Sequence, residues 1–116
     1  MKYLCLVYGV ENELEKMDVT ECVEYDEYLR SRKLCLASEK LQPVSTATTV
    51  RVRQGRVSVT DGPFAETKET LAGFYLIDAR DLNEAIQVAA GIPPAKVGSV
   101  EIRPLDTLPG RVLGAS

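Results

Sequence analysis

Two segments of this chain carry no polar face. In Tyr3-Leu4-Cys5-Leu6-Val7-Tyr8, the odd positions Tyr3, Cys5 and Val7 and the even positions Leu4, Leu6 and Tyr8 are both apolar. Phe74-Tyr75-Leu76-Ile77 repeats the property. Successive side chains of a strand point to opposite faces. A strand apolar on both is therefore expected to be covered on both and to lie inside a sheet rather than at its rim. This requirement constrains the fold more than any other feature of the sequence.

The rest of the chain is read around these two strands. Glu11 to Lys16 is a mostly polar connection, with Leu14 its apolar exception. Asp18-Val19-Thr20-Glu21 has the form of an N-cap followed by an acidic residue in the first turn. It opens a helix from about Val19 to Lys33, with Cys22, Tyr25, Tyr28 and Leu29 toward one face and Arg30, Arg32 and Lys33 at its C-terminal end. Leu34 to Ala37 returns as a short strand. Thr46 to Arg53 and Val57 to Asp61 alternate on either side of a Gln54-Gly55 turn. That turn sets Val52 against Val57, Val50 against Val59, Thr49 against Thr60 and Arg51 against Ser58. Every valine then falls on one face, with Asp61 beside them. Asp81-Leu82-Asn83-Glu84 is a second capped start. Leu82, Ala85, Ile86 and Ala89 follow at helical spacing, and Gly91, Pro93 and Pro94 end the helix. Ser99 to Leu105 is a last strand, with Val100 and Ile102 opposed to Glu101 and Arg103.

The order is strand, helix, strand, hairpin, strand, helix, strand. It predicts an α+β fold: a ferredoxin-like split βαβ sandwich with an inserted β-hairpin. At 116 residues the chain is one domain, expected over residues 1–109, with 110–116 a flexible tail. Two helices cover one face of such a sheet. The other apolar face calls for a second copy, so a homodimer packed sheet to sheet is expected.

Composition removes whole classes of function. The chain has no histidine. Ser-His-Asp and Cys-His nucleophile systems, histidine bases and histidine metal sites are therefore excluded. No carboxylate or cysteine spacing points to a metal, and no glycine-rich phosphate loop is present. The net charge of -3 comes without a basic cluster, which argues against nucleic acid as a partner. No apolar run approaches the roughly 20 residues of a membrane helix. The apolar N-terminus reads as a strand and not as a signal peptide. Cys5, Cys22 and Cys35 are odd in number and lack Cys-x-x-Cys spacing, which fits free thiols in a reducing cytoplasm. No cofactor is implied.

The densest polar stretch is Asp61-Gly62-Pro63-Phe64-Ala65-Glu66-Thr67-Lys68-Glu69. Asp61 is the candidate catalytic residue. Its strand parity aims a carboxylate at an apolar face, where it must find donors or accept a raised pKa. It can serve as a general base or ligand anchor, or simply cap the backbone amides of Phe64 or Ala65. Tyr8, Gly62, Pro63, Phe64, Glu66 and Lys68 are the candidate ligand-binding residues. Each also has a structural reading: strand-end packing for Tyr8, backbone shape for Gly62 and Pro63, a core plug for Phe64, and surface ion pairs for Glu66 and Lys68. The hydroxyl run Ser45, Thr46, Thr48 and Thr49 fits plain β-propensity.

From Leu41 to Pro104 the chain closely resembles the DGPF-type branch of the YCII-related family. The "DGPFAETKE" block is the branch signature, and "LQP", "TATTVR" and "GFYLIDA" also match; "MKYLCLVYG" matches more loosely. Ala72-Gly73 and Ala37-Ser38 stand where members often carry paired glycines. The resemblance implies a dimeric α+β barrel of ferredoxin-like subunits in the bacterial cytoplasm, of unsettled reaction. An enzymatic His-Asp pair proposed for related members has no counterpart here. Frequent gene neighbourhood with extracytoplasmic-function sigma factors is an association and not a mechanism.

Three functions are therefore weighed. The first is binding of a small polar or anionic molecule in a cleft near the DGPF loop. The second is a cofactor-free lyase, isomerase or oxidase with Asp61 as general base. The third is a regulatory interaction partner in a sigma-factor pathway.

Overall fold

The computed structural model of the protein describes residues 1–106; the expected tail, and the last residues of the expected domain, lie outside them. Among the described residues, six strands and three helices follow one another: β1 (Lys2–Gly9), α1 (Glu11–Glu15), α2 (Val19–Ser31), β2 (Cys35–Lys40), β3 (Thr48–Arg53), β4 (Arg56–Asp61), β5 (Thr70–Asp78), α3 (Leu82–Gly91) and β6 (Ser99–Pro104). Short 3-10 turns at Val44–Thr46 and Pro93–Lys96 precede β3 and β6.

Four strands form one sheet in the order β2-β5-β1-β6, and every neighbouring pair is antiparallel. The two segments without a polar face, in β1 and β5, are its inner strands. Tyr3, Cys5 and Val7 face the helices and are buried, while Leu4, Leu6 and Tyr8 face the opposite side and are half-buried. The core joins these buried residues to Ile77 of β5, Leu29 of α2, Ala85, Val88 and Ala89 of α3, and Ile92 beyond it. Burial of each large aliphatic side chain contributes about 1.5–3 kcal/mol. The sheets are open, and neither closes into a barrel within the chain.

Asp18 caps α2 by accepting from the Thr20 amide at 2.9 Å, and Asp81 caps α3 through the Glu84 amide at 2.9 Å. The α2 helix stops two residues short of the sequence expectation because Lys33 takes a left-handed φ of 59°. The Leu34 amide then donates to the Leu29 carbonyl at 2.9 Å, closing the helix end. Tyr25 ties the helices together by donating to the Val88 carbonyl at 2.6 Å. Tyr28, expected on the packed face, is 49% exposed. It stacks on Tyr25 with Arg32 over its ring.

Two further expectations about the elements differ from the structure. Glu11–Glu15 is a short helix and not a plain connection. The start of the first hairpin strand at Thr46 is wrong: Val44–Thr46 is a 3-10 turn, closed by the Thr46 hydroxyl donating to the Pro43 carbonyl at 2.7 Å. The hairpin register itself is as expected, Val50 against Val59 and Val52 against Val57. Gln54 and Gly55 make the turn with φ of 53° and 75°.

β3 and β4 form a separate two-stranded sheet, an arm on which only Thr49 is even half-buried. The radius of gyration of 16.0 Å exceeds the roughly 13 Å of a compact domain this long, as an outstanding arm requires.

Candidate functional site

A cavity of about 330 Å³ lies between the sheet and the N-terminal half of α2. Its helical wall is Val19, Cys22, Val23 and Asp26, at i, i+3, i+4 and i+7, which is one stripe of a helix. Leu14 and Met17, from α1 and the residues after it, form the adjoining wall. The β2 side is Ser38, Glu39 and Lys40. The floor is Val7 of β1 with Ala72, Gly73 and Tyr75 of β5.

The cavity exists because the floor is short of side chains. Gly73 lies between Val7 and Lys40 in the sheet, and a Cβ there would come within 2.7 Å of the Glu39 carbonyl oxygen. No larger residue fits without shifting that backbone. Across the cavity, Val19 and Val23 of the apolar α2 stripe stay 63% and 50% exposed.

Polar groups gather at the end toward α2 and β2. Asp26 accepts from the Ser38 hydroxyl at 2.6 Å, from Arg30 Nε at 2.9 Å and from the Cys35 thiol at 3.7 Å. Burial pushes the Asp26 carboxyl up, but the hydrogen bonds from Ser38 and Arg30 outweigh it and hold it below the usual carboxylate range. Tyr75 stands beside Ser38 in the sheet, and burial foremost, then the thiol of Cys22 and the charge of Asp26, push its phenol up to about 12. Burial likewise raises Cys22 and Cys35, and it takes Cys5, with Cys35 next to it, up to about 11. All three cysteines are free. Thiols so raised are protonated at neutral pH and weak nucleophiles. Among the described residues no cluster of carboxylates and thiols converges as a metal site.

None of the sequence-derived candidates lines this cavity. Asp61 ends β4 opposite Thr48, exposed, and among the described residues its carboxylate takes no hydrogen bond. The turn is closed by other groups. The Gly62 amide donates to the Ala47 carbonyl at 2.7 Å, and the Thr49 hydroxyl donates to the Gly62 carbonyl at 2.8 Å. Gly62 has a φ of 106°, which a side chain would strain, so its role in backbone shape is direct. Pro63 follows, half-buried. Phe64 is no core plug, being 79% exposed. Glu66 and Lys68 are exposed and form no ion pair with one another. Tyr8 pairs with Leu71 and Ser99 on the sheet face turned away from the helices. Nearby, Glu69 accepts from the Ser99 hydroxyl at 2.9 Å.

Sequence reading missed Val19, Val23, Asp26, Ser38, Lys40 and Tyr75 as a group. The available signal was the second apolar stripe of α2, Val19-Cys22-Val23, which a helix packed only through Tyr25 and Leu29 does not use.

An uncharacterized protein of Rhizobium meliloti (strain 1021) is 50% identical over 68 residues. That match covers 57% of this chain and 55% of the relative, so the chain aligns with only about half of the relative's length. The family model of the YCII-related domain matches residues 1–108. All of the described residues fall within that match, and the protein belongs to the YCII-related domain family.

Proposed function

We propose that this protein is a small-molecule-binding module, built as a homodimer of ferredoxin-like subunits of the DGPF-type branch, with its ligand in the cavity beneath α2. The observation that carries the reading is the cavity itself. It has the size, the mostly apolar lining and the few convergent polar groups of a ligand pocket. An engineered apolar cavity of roughly 150 Å³ accepts benzene, so this one has room for a body about twice that size. Strand order and antiparallel pairing support the ferredoxin-like reading. Dimerisation is supported by the helix-free sheet face of Leu4, Leu6, Tyr8, Phe74 and Leu76, and by the exposed valine face of the arm. A second copy covering both would close two open sheets into the barrel. The bacterial cytoplasm and a sigma-factor pathway rest on the resemblance alone.

A second reading keeps Asp61 as a general base at a cleft between subunits, with Tyr8, Gly62, Pro63, Phe64, Glu66 and Lys68 around the ligand. The observation favouring it is that Asp61 shares the hairpin face of Val57 and Val59, so whatever covers the valines also desolvates the carboxylate.

Native mass spectrometry of the purified protein separates the two. Val23→Trp fills the cavity and Asp61→Asn removes the base. A retained small molecule lost from Val23→Trp but kept by Asp61→Asn supports the cavity. The reverse pattern moves the site to the loop.

A further inference from the structure

We infer that the cavity takes an amphipathic anion, an apolar body with a single carboxylate head, the head resting on Lys40. The inference deepens the cavity reading proposed above and rests on it.

The body follows from the walls. Val7, Leu14, Met17, Val19 and Val23 surround a floor stripped of side chains at Gly73. An apolar surface of this kind gains from excluding water and offers nothing to a wholly polar solute.

The head follows from a charge balance at the polar end. Asp26 is already met by the Arg30 guanidinium at 2.9 Å, and its oxygens also take the Ser38 and Cys35 donors. Most acceptor positions of one carboxylate are thereby filled. Glu39 borders the cavity, but it pairs with Phe74 in the sheet, at the parity opposite to Ser38 and Lys40. Lys40 pairs with Gly73, at the same parity as Ser38 and Tyr75, on the cavity side. Among the described residues Lys40 forms no salt bridge. Its charge reaches the Cys22 thiol: burial, Glu21 and Asp18 push that thiol up, and Lys40 opposes them. Lys40 is thus the one cation among the residues lining the cavity, and it is without an ion-pair partner there. The Tyr75 phenol and the Cys22 thiol, both protonated, are additional donors for an anionic head.

Octanoate, octanol and octylamine share one body and differ in the head, so calorimetric titration of all three reads the head directly. The expected order is octanoate tightest, by roughly tenfold over octanol, as a charged hydrogen bond implies. Lys40→Gln should erase that advantage while leaving octanol binding unchanged, and Val23→Trp should abolish binding of all three. Circular dichroism confirms that each variant is folded. Equal affinity for the three heads, or an octanoate preference that survives Lys40→Gln, overturns the assignment of the head and leaves the cavity reading intact. A preference for octylamine overturns it in favour of Asp26. No binding of any of the three at millimolar concentration removes the cavity reading and this inference with it.

Discussion

The four-stranded sheet and the β3–β4 arm both carry apolar strand faces, yet those faces end in opposite environments. Val7 on β1 is 4% exposed, and Ile77 on β5 is fully buried. Val50, Val52, Val57 and Val59 on the arm are between 56% and 68% exposed. The sheet has α2 and α3 of its own chain to cover its valines; the arm has no element of the described chain over its apolar face. The difference teaches that alternation specifies which residues share a face, while the identity of the covering surface is a separate, tertiary matter.

The sharpest way to break the comparison is a truncation in each region. Ile77→Ala should cost about 3–4 kcal/mol in urea unfolding, since a fully buried aliphatic loses both transfer energy and packing. Val57→Ala, on the exposed face of the arm, should stay within about 0.5 kcal/mol of wild type. Equal costs would show that the arm packs on its own sheet.

Alkaline pH tests the buried side alone. The folded thiol of Cys5 is raised from an ordinary 9.0 to about 11. A group raised in this way lends its full stabilisation below its unfolded pKa, and loses it as pH climbs through the folded value. Stability should therefore fall between about pH 9 and 11 by about 2 kcal/mol. In Cys5→Ala that part of the slope should be missing from the denaturation midpoints. Tyr75, raised from 10.0 to about 12, prolongs the decline to higher pH.

A smaller effect is expected at the rim of the cavity. Ser38→Ala removes the 2.6 Å bond to Asp26 and should cost about 1 kcal/mol. The Asp26 carboxyl is depressed in the fold. Its stabilisation is present above the unfolded carboxylate value and is lost as pH falls through the folded one. Ser38→Ala should move the acid limb of the stability curve upward in pH.

Asp61→Asn should be the mildest change, within about 0.5 kcal/mol in thermal or urea unfolding, because the carboxylate is exposed and bonds to nothing among the described residues. A larger loss would restore a structural role for it in the turn.

Much of the fold was legible in the sequence. Apolarity on both faces placed β1 and β5 inside the sheet, and the Gln54-Gly55 turn with its flanking valines placed the arm in register. Where legibility failed, the physics was of a different kind. Glu11–Glu15 is too short and too polar for a periodic signal, and it is held from outside, by Glu11 accepting from the Val44 amide at 2.9 Å. β2 runs on past Ala37 through Ser38, Glu39 and Lys40 because β5 supplies a partner edge, not because those residues favour strands. The cavity was hidden because a hollow is made by what is missing. Ala72 and Gly73 lay just before the expected strand and were visible only as small residues where relatives often carry paired glycines; in the fold β5 includes them, and the approach of α2 makes them a floor.

Chemical-shift mapping of the amide spectrum during an octanoate titration tests the central claim most directly. The account predicts perturbations clustered on Val19–Asp26, Ser38–Lys40 and Ala72–Tyr75, with the arm and Asp61–Glu69 unmoved. Perturbations confined to Asp61–Glu69 and the arm would contradict it.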